Sequence, residues 1–256
     1  MKIDLNCDLG ESFGAYTLGL DSEVIKYITS ANIACGFHAS DPVTMDKTVK
    51  LAAAAGVAVG AHPGYPDLVG FGRRNLAATP AEVRAYVKYQ VGALAAFAAS
   101  EGQSISHVKP HGAMYNMAAK DPALADAIAE AVQECAPGAV LLALSGSEMI
   151  RAAARIGVPC AAEVFADRAY MPDGTLVPRS RPDAMIRDED EAIARVIRMA
   201  KEGVVRSVDG TDVEIKADSV CVHGDGESAL LFVQKIRAAL KEAGVEVVPI
   251  REVLGL

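Results

Sequence analysis

The sequence predicts an α/β protein built as a β/α barrel, and three observations carry that expectation. Short apolar runs of strand length alternate with longer helical patterns along the whole chain, the signature of β-α units feeding a parallel sheet. The chain has 256 residues, and barrels of this kind commonly run about 250 residues as one unit. Polar and ionisable residues recur at the ends of the apolar runs, where parallel strands would deliver them to one surface. We read residues 1–256 as one domain, with a β-hairpin insertion at 204–217.

The first run, residues 2–9, puts Ile3, Leu5, Cys7 and Leu9 on one face and Asp4, Asn6 and Asp8 on the other. Unpaired buried charge costs several kcal/mol, so the second face is expected to line a polar pocket rather than ordinary core. A second run, 30–38, ends at His38; Ser40 or Asp41 then caps a helix with Pro42 in its first turn and Gly56 as its stop. The third run, 57–62, ends at His62 and feeds a Gly/Pro-rich loop containing Gly70-Phe71-Gly72-Arg73-Arg74. Thr79-Pro80-Ala81-Glu82 is a capping-box pattern opening a long helix that ends near Gly102.

The fourth strand carries His107-Val108-Lys109-Pro110-His111, and alternation sends His107, Lys109 and His111 to one face. A cation and two imidazoles are poor packing material, so this segment marks the mouth of a candidate active site. Asp121-Pro122 opens the next helix, and 139–144 is a wholly apolar fifth strand. On the sixth, 160–167, Ala161, Glu163, Phe165 and Asp167 share a face. The irregular stretch that follows, 168–187, holds Arg168, Tyr170, Arg179 and Arg181; a loop of that length inside a compact domain is ordinarily a lid or binding loop. A helix over 188–202 precedes a hairpin turning at Asp209-Gly210. The seventh strand, 219–223, ends at His223, a helix covers 227–243, and 245–250 is either an eighth strand or a tail along the barrel edge.

With 25 basic against 33 acidic side chains, a net charge of -8, the chain is a poor partner for nucleic acid or an anionic membrane. Its first residues lack the apolar core of a signal peptide, and no apolar run is long enough to span a bilayer, so a soluble, cytoplasmic protein is expected. Five cysteines, without a Cys-x-x-Cys pair, fit a reducing compartment and read as small buried hydrophobes.

The strand ends collect Asp8 and Glu11, His38, His62, Lys109 and His111, Glu163 and Asp167, and His223 and Asp225. One strand-end histidine is ordinarily a satisfied structural residue, but the five histidines of this chain all fall in or just after predicted strands. Histidine and carboxylate supply general acid and base near neutral pH, while Lys109 and the loop arginines hold a carboxylate or phosphate. Hydrolysis or phosphoryl transfer therefore fits better than redox chemistry. His38, His62, His111 and His223 with Asp8 or Asp225 also offer metal ligands, although no His-Glu-x-x-His spacing supports a tightly bound ion and the metal stays open. Nucleotide signals are weaker: the chain lacks a Gly-x-x-x-x-Gly-Lys-Ser/Thr loop, and Gly224-Asp225-Gly226-Glu227-Ser228-Ala229 reads as a helix-start turn.

At Asp4-Leu5-Asn6-Cys7-Asp8-Leu9-Gly10-Glu11, Ala34-Cys35-Gly36-Phe37-His38, Gly60-Ala61-His62-Pro63-Gly64-Tyr65-Pro66-Asp67, Gly70-Phe71-Gly72-Arg73-Arg74, Val108-Lys109-Pro110-His111-Gly112-Ala113-Met114-Tyr115-Asn116, Glu163-Val164-Phe165-Ala166-Asp167-Arg168 and Cys221-Val222-His223-Gly224-Asp225 the chain resembles the family of 5-oxoprolinase A subunits, also called the lactam-utilisation family. The resemblance implies a distorted, roughly seven-stranded β/α barrel related to those of metal-dependent polysaccharide deacetylases and glycosidases. It also implies ATP-dependent opening of 5-oxo-L-proline to L-glutamate, with Mg²⁺ accompanying the nucleotide, in company with B and C subunits of the same enzyme; homo-oligomer assembly is left open. Set against that reaction, Asp8, His62, Lys109, His111, Glu163 and His223 are the catalytic candidates. Asn6, His38, Tyr115, Asn116, Asp167, Arg168 and Asp225 are candidates for substrate, and Arg73, Arg74 and Arg179 for the ATP phosphates. Two alternatives stand beside it: a stand-alone metal-dependent deacetylase-type hydrolase, and a non-catalytic lactam-binding or scaffold subunit.

Overall fold

The computed structural model describes residues 1–222 and 227–256, with backbone alone at 227–229. Strands β1 (Lys2–Leu9), β2 (Ser30–Ala34), β3 (Ala58–His62), β4 (His107–Val108), β5 (Val140–Leu144) and β6 (Cys160–Phe165) pair in parallel in chain order. A separate antiparallel ribbon joins β7 (Val204–Arg206) to β8 (Asp212–Glu214). β9 (Ser219–Val222) then lies between β6 and β1 and closes the ring of parallel strands. β10 (Glu246–Val247) pairs with the start of β1, at Lys2 and Ile3.

Helices fill the connections: α1 (Asp21–Val24), α2 (Pro42–Ala55), α3 (Pro80–Ser100), α4 (Gly112–Ala118), α5 (Pro122–Cys135), α6 (Glu148–Ile156), α7 (Glu189–Glu202), α8 (Glu227–Glu242) and α9 (Ile250–Leu254). Their starts are set by side chains that satisfy otherwise orphaned amides. Asp41 accepts from the amides of Val43 and Thr44, Asp121 from those of Ala123 and Leu124, and Thr79 and Glu82 form the reciprocal box that the sequence predicts. Buried Leu124, Ala125, Ile128, Ala131 and Val132 recur at helical spacing along α5, and this stripe seats it between α3 and α6. No helix among the described residues is long and apolar enough to cross a membrane.

Alternation along β1 divides outside from inside. Ile3, Leu5, Cys7 and Leu9 join the large core under the helices, while Asp4 and Asn6 are fully buried within the ring. Register aligns the other inward positions: Asp4 with Ser219, Asn6 with Ser30 and Cys221, Asp8 with Asn32, and Gly60 with both Asn32 and His107. Val140, Leu142 and Ala161 instead pack on Ile250, so the barrel is stopped by apolar side chains at its amino end and stays polar above. A Cβ on Gly60 would overlap the imidazole of His107, which crosses the lumen at that point to reach Asn32.

Three departures from the sequence expectation bear on the site. β2 stops at Ala34, because Gly36 takes φ +91° and donates its amide to Ala39 O, so His38 sits on a tight loop beyond the strand. β4 is two residues long, since Pro110 has no amide to donate. Lys109 N and His111 N nevertheless bond Ala61 O and Pro63 O, so the extended trace and its alternation persist to His111. The chain then turns directly into α4, which the sequence analysis does not anticipate.

Candidate active site

Lys109 is the centre of the lumen. Its ammonium lies 2.8 Å from Glu163 Oε1, 3.0 Å from Asp8 Oδ1, 3.1 Å from Asn6 Oδ1 and 3.1 Å from Cys221 Sγ. Burial alone would lower the pKa of this lysine, but Asp8, Cys221 and Glu163 outweigh it and hold the pKa well above the ordinary value. The acceptors around it are ordered in turn. Asn32 Nδ2 donates to Asn6 Oδ1 at 2.8 Å and to Asp8 Oδ1 at 2.9 Å, and His107 Nε2 donates to Asn32 Oδ1 at 2.8 Å. Tyr115, on α4, donates its hydroxyl to Glu163 Oε2 at 2.6 Å. Burial pushes His107 down to about 3, with Lys109 adding to the effect, so this ring is a neutral donor.

Above this floor three histidine rings meet. His62 Nδ1 donates to Lys109 O at 2.7 Å, and its Nε2 lies 3.3 Å from Asp8 Oδ2 and 3.0 Å from His111 Nδ1. His111 Nε2 donates to Phe71 O at 2.9 Å. His38 stacks flat on His111, centroids 3.7 Å apart, with its Nε2 3.3 Å from Glu11 Oε1. Burial, with neighbouring imidazoles, pushes both His38 and His111 well below the ordinary histidine value. Gly72, at φ +61°, permits the stack: a Cβ there would press on His38 and His111 together.

A cavity of about 630 Å³ opens over these groups at the carboxyl ends of the strands. Asp8, His62, Lys109 and His111 form its base, and Tyr115 and Asn116 present α4 to it. Thr175–Ser180 of the long loop form another wall, carrying Arg179, while Arg168 and Arg73 add two further guanidinium groups. Arg168 is buried and donates to Val177 O at 2.6 Å; burial first, then Arg179, lowers its pKa to about 10. Arg73 lies over the Phe71 ring, 4.9 Å from its centroid. The cavity thus joins an acid–base floor to a cationic wall.

Several sequence assignments need correction. Arg74 is turned away from the cavity, its guanidinium clamped on Asp67, with a side chain 67% exposed. Asn6, His38 and Glu163 are fully buried and outside the cavity lining, so none of them meets a small molecule in the cavity directly. Asp167 lies just past β6, half-buried and outside that lining; its carbonyl accepts from Ile186 N. His223 and Asp225 fall outside the described residues. Glu11, to which the sequence reading gives no role, joins the histidine cluster. Cys221 is buried, as the sequence reading expects, and its inward-facing thiol also touches the Lys109 ammonium, an orientation that an apolar run does not reveal.

The chain is thus a closed parallel β/α barrel whose histidines and carboxylates converge at the strand ends around a cavity of small-molecule size. Residues 3–255 match the model of the LamB/YcsF family, and the chain belongs to that family. It is 62% identical over 252 residues to the A subunit of the 5-oxoprolinase of Clostridium beijerinckii, covering 98% of this chain and 99% of that one. Among solved structures it is similar to the lactam utilization protein of Thermus thermophilus, with a TM-score of 0.91, 48% identity and coverage of 97% and 99% of the two chains. A putative cellobiose-phosphate cleavage protein of Enterococcus faecalis, at 12% identity and a TM-score of 0.55 over 98% of each chain, shares the fold.

Proposed function

We propose that the chain is the A-type subunit of an ATP-dependent 5-oxoprolinase, opening 5-oxo-L-proline to L-glutamate while ATP becomes ADP and phosphate, in complex with B and C subunits. Near full-length identity to the A subunit of a 5-oxoprolinase supports the substrate. The observation that carries the chemistry is the cavity itself, where a cationic wall for a carboxylate or phosphoryl group faces a carboxylate–imidazole floor. An unactivated lactam is a poor electrophile, and phosphoryl transfer to its amide oxygen makes the ring carbon attackable.

In this reading Arg168 and Arg179 hold the substrate carboxylate, Arg73 meets phosphate, and MgATP is supplied within the assembled complex. His62, oriented by Lys109 O, and Asp8 accept or return the proton as water attacks and the ring nitrogen departs. Lys109 balances the charge of Asp8 and Glu163 instead of gripping the substrate, since its ammonium is already ringed by acceptors. The test is ATP hydrolysis by the purified chain with and without B and C subunits. Hydrolysis stimulated by 5-oxoproline in the complete complex supports the reading; a complete complex indifferent to the lactam overturns it. A second reading, a stand-alone amide hydrolase, draws on the cluster of Glu11 with three histidines, and lactam opening without ATP or partners would select it.

A further inference from the structure

His62 and His111 are fixed as opposite tautomers by main-chain oxygens. A carbonyl only accepts, so Lys109 O, 2.7 Å from His62 Nδ1, places the ring proton there and leaves Nε2 with its lone pair. Phe71 O, 2.9 Å from His111 Nε2, does the reverse and leaves Nδ1 bare. The two bare nitrogens face each other at 3.0 Å. Glu11 Oε1 approaches the same point, 3.8 Å from His111 Nδ1 and 3.3 Å from His38 Nε2. With ring protons turned outward to these carbonyls, the inner nitrogens of His62 and His111 converge with the carboxylate of Glu11 and, 3.3 Å from His62 Nε2, that of Asp8 on one position that suits a cation.

We propose that Glu11, His38, His62 and His111 form a binding site for a first-row divalent transition ion, with Zn²⁺ the best chemical match. Their donor atoms all lie within 4.8 Å of one another. Three imidazole nitrogens and one carboxylate oxygen suit Zn²⁺ and its neighbours, whereas Mg²⁺ and Ca²⁺ select oxygen. Main-chain oxygens behind His62 and His111 are the outer partners that orient metal-bound histidine. His62 ends β3 and the other donors follow β1, β2 and β4, so four adjacent strands bring them to one place, where side-chain shifts would close them on an ion. Because His62 and His111 also line the cavity, an ion held there would lie at its base, and a ligand in the cavity would meet it by adding a fifth position or displacing one donor, where the ion would polarise a carbonyl or acidify water. The site stands whether or not the chain opens 5-oxoproline.

The test uses the full chain, stripped with a chelator and titrated with Zn²⁺ and with Co²⁺ near neutral pH, in the absence of ATP, lactam and partners. One ion per chain is expected, with the visible bands of a nitrogen-rich, four- or five-coordinate Co²⁺ centre and a Tm that rises with Zn²⁺. Disturbing outer partners of a metal site costs about 10–100-fold in affinity, so loss of a ligand in His38→Ala or Glu11→Gln should cost more than about 100-fold. Should a variant fail to fold, X-ray absorption on the wild-type Zn²⁺ protein decides by showing imidazole in the ligand shell or its absence. Lack of stoichiometric binding, a shell without imidazole, or unchanged affinity in folded variants overturns the proposal, as does nitrogen NMR showing His62 and His111 sharing one proton in the presence of Zn²⁺. With neither nucleotide nor lactam in the cell, these failures are separate from any failure of the 5-oxoprolinase reading.

Discussion

At the scale of single residues, the decisive fact is that one ammonium compensates two carboxylates inside the barrel. Removing one partner of a buried ion pair strands the other, at a cost of about 3–5 kcal/mol. Lys109→Met should therefore lower stability by roughly that amount in urea unfolding, as well as abolish lactam-dependent ATP hydrolysis in the reconstituted complex; a variant as stable as wild type would show that Asp8 and Glu163 do not depend on this cation. Tyr115→Phe is a finer probe. It deletes one fully buried hydroxyl whose hydrogen bond to Glu163 is 2.6 Å long, and a loss of about 1–3 kcal/mol is expected by the same method. Alternation made Asp8, His62, Lys109 and Glu163 visible as a set in the sequence. The same rule could not say that Asn6 and Glu163 serve Lys109 rather than a ligand, because depth along the lumen depends on stagger between strands distant in sequence.

Elements matter here chiefly through what they leave room for. Gly60 on β3 yields its side-chain volume to His107 on β4, so Gly60→Ala forces the imidazole off Asn32 and disturbs the acceptors around Lys109. Overpacking of this kind costs about 1–3 kcal/mol, and the expected signature is a lower Tm together with reduced turnover. Thr79→Ala is the contrasting case. It breaks the capping box at the exposed start of α3, outside the cavity lining, and should cost about 1 kcal/mol with turnover unchanged in the complex. Helix starts were legible because a cap and a proline are local signals. The short α4 was not: Gly112 opens it at φ +52°, a conformation imposed by packing against Gly72 O rather than by any propensity of its own sequence. His38 was legible as a residue but not as a place, since the turn at Gly36 removes it from β2.

For the whole molecule, closure of the ring sets how stability responds to pH. The alternation in residues 2–9 announced a polar lumen, but which polar groups would be sealed from water followed only from β9 meeting β1. That pairing brings Ser219 to Asp4, whose carboxylate also accepts from Thr29 and Ser30 and is fully buried. Burial raises its pKa from 3.8 to about 6 against the pull of these hydroxyls. A carboxyl raised on folding binds its proton more tightly in the native state, so the stability it confers is full below the unfolded value and is lost as pH rises through the folded one. Two units correspond to about 3 kcal/mol. Asp4→Asn keeps the shape and removes the titration, and the hydroxyls around it are free to rotate toward either partner. Measured by urea unfolding, the stability of wild type relative to Asp4→Asn should fall by roughly 3 kcal/mol as pH is raised from below 3.8 to above 6. A difference that stays constant over that interval would mean that water reaches Asp4, and hence that the ring is not closed between β1 and β9.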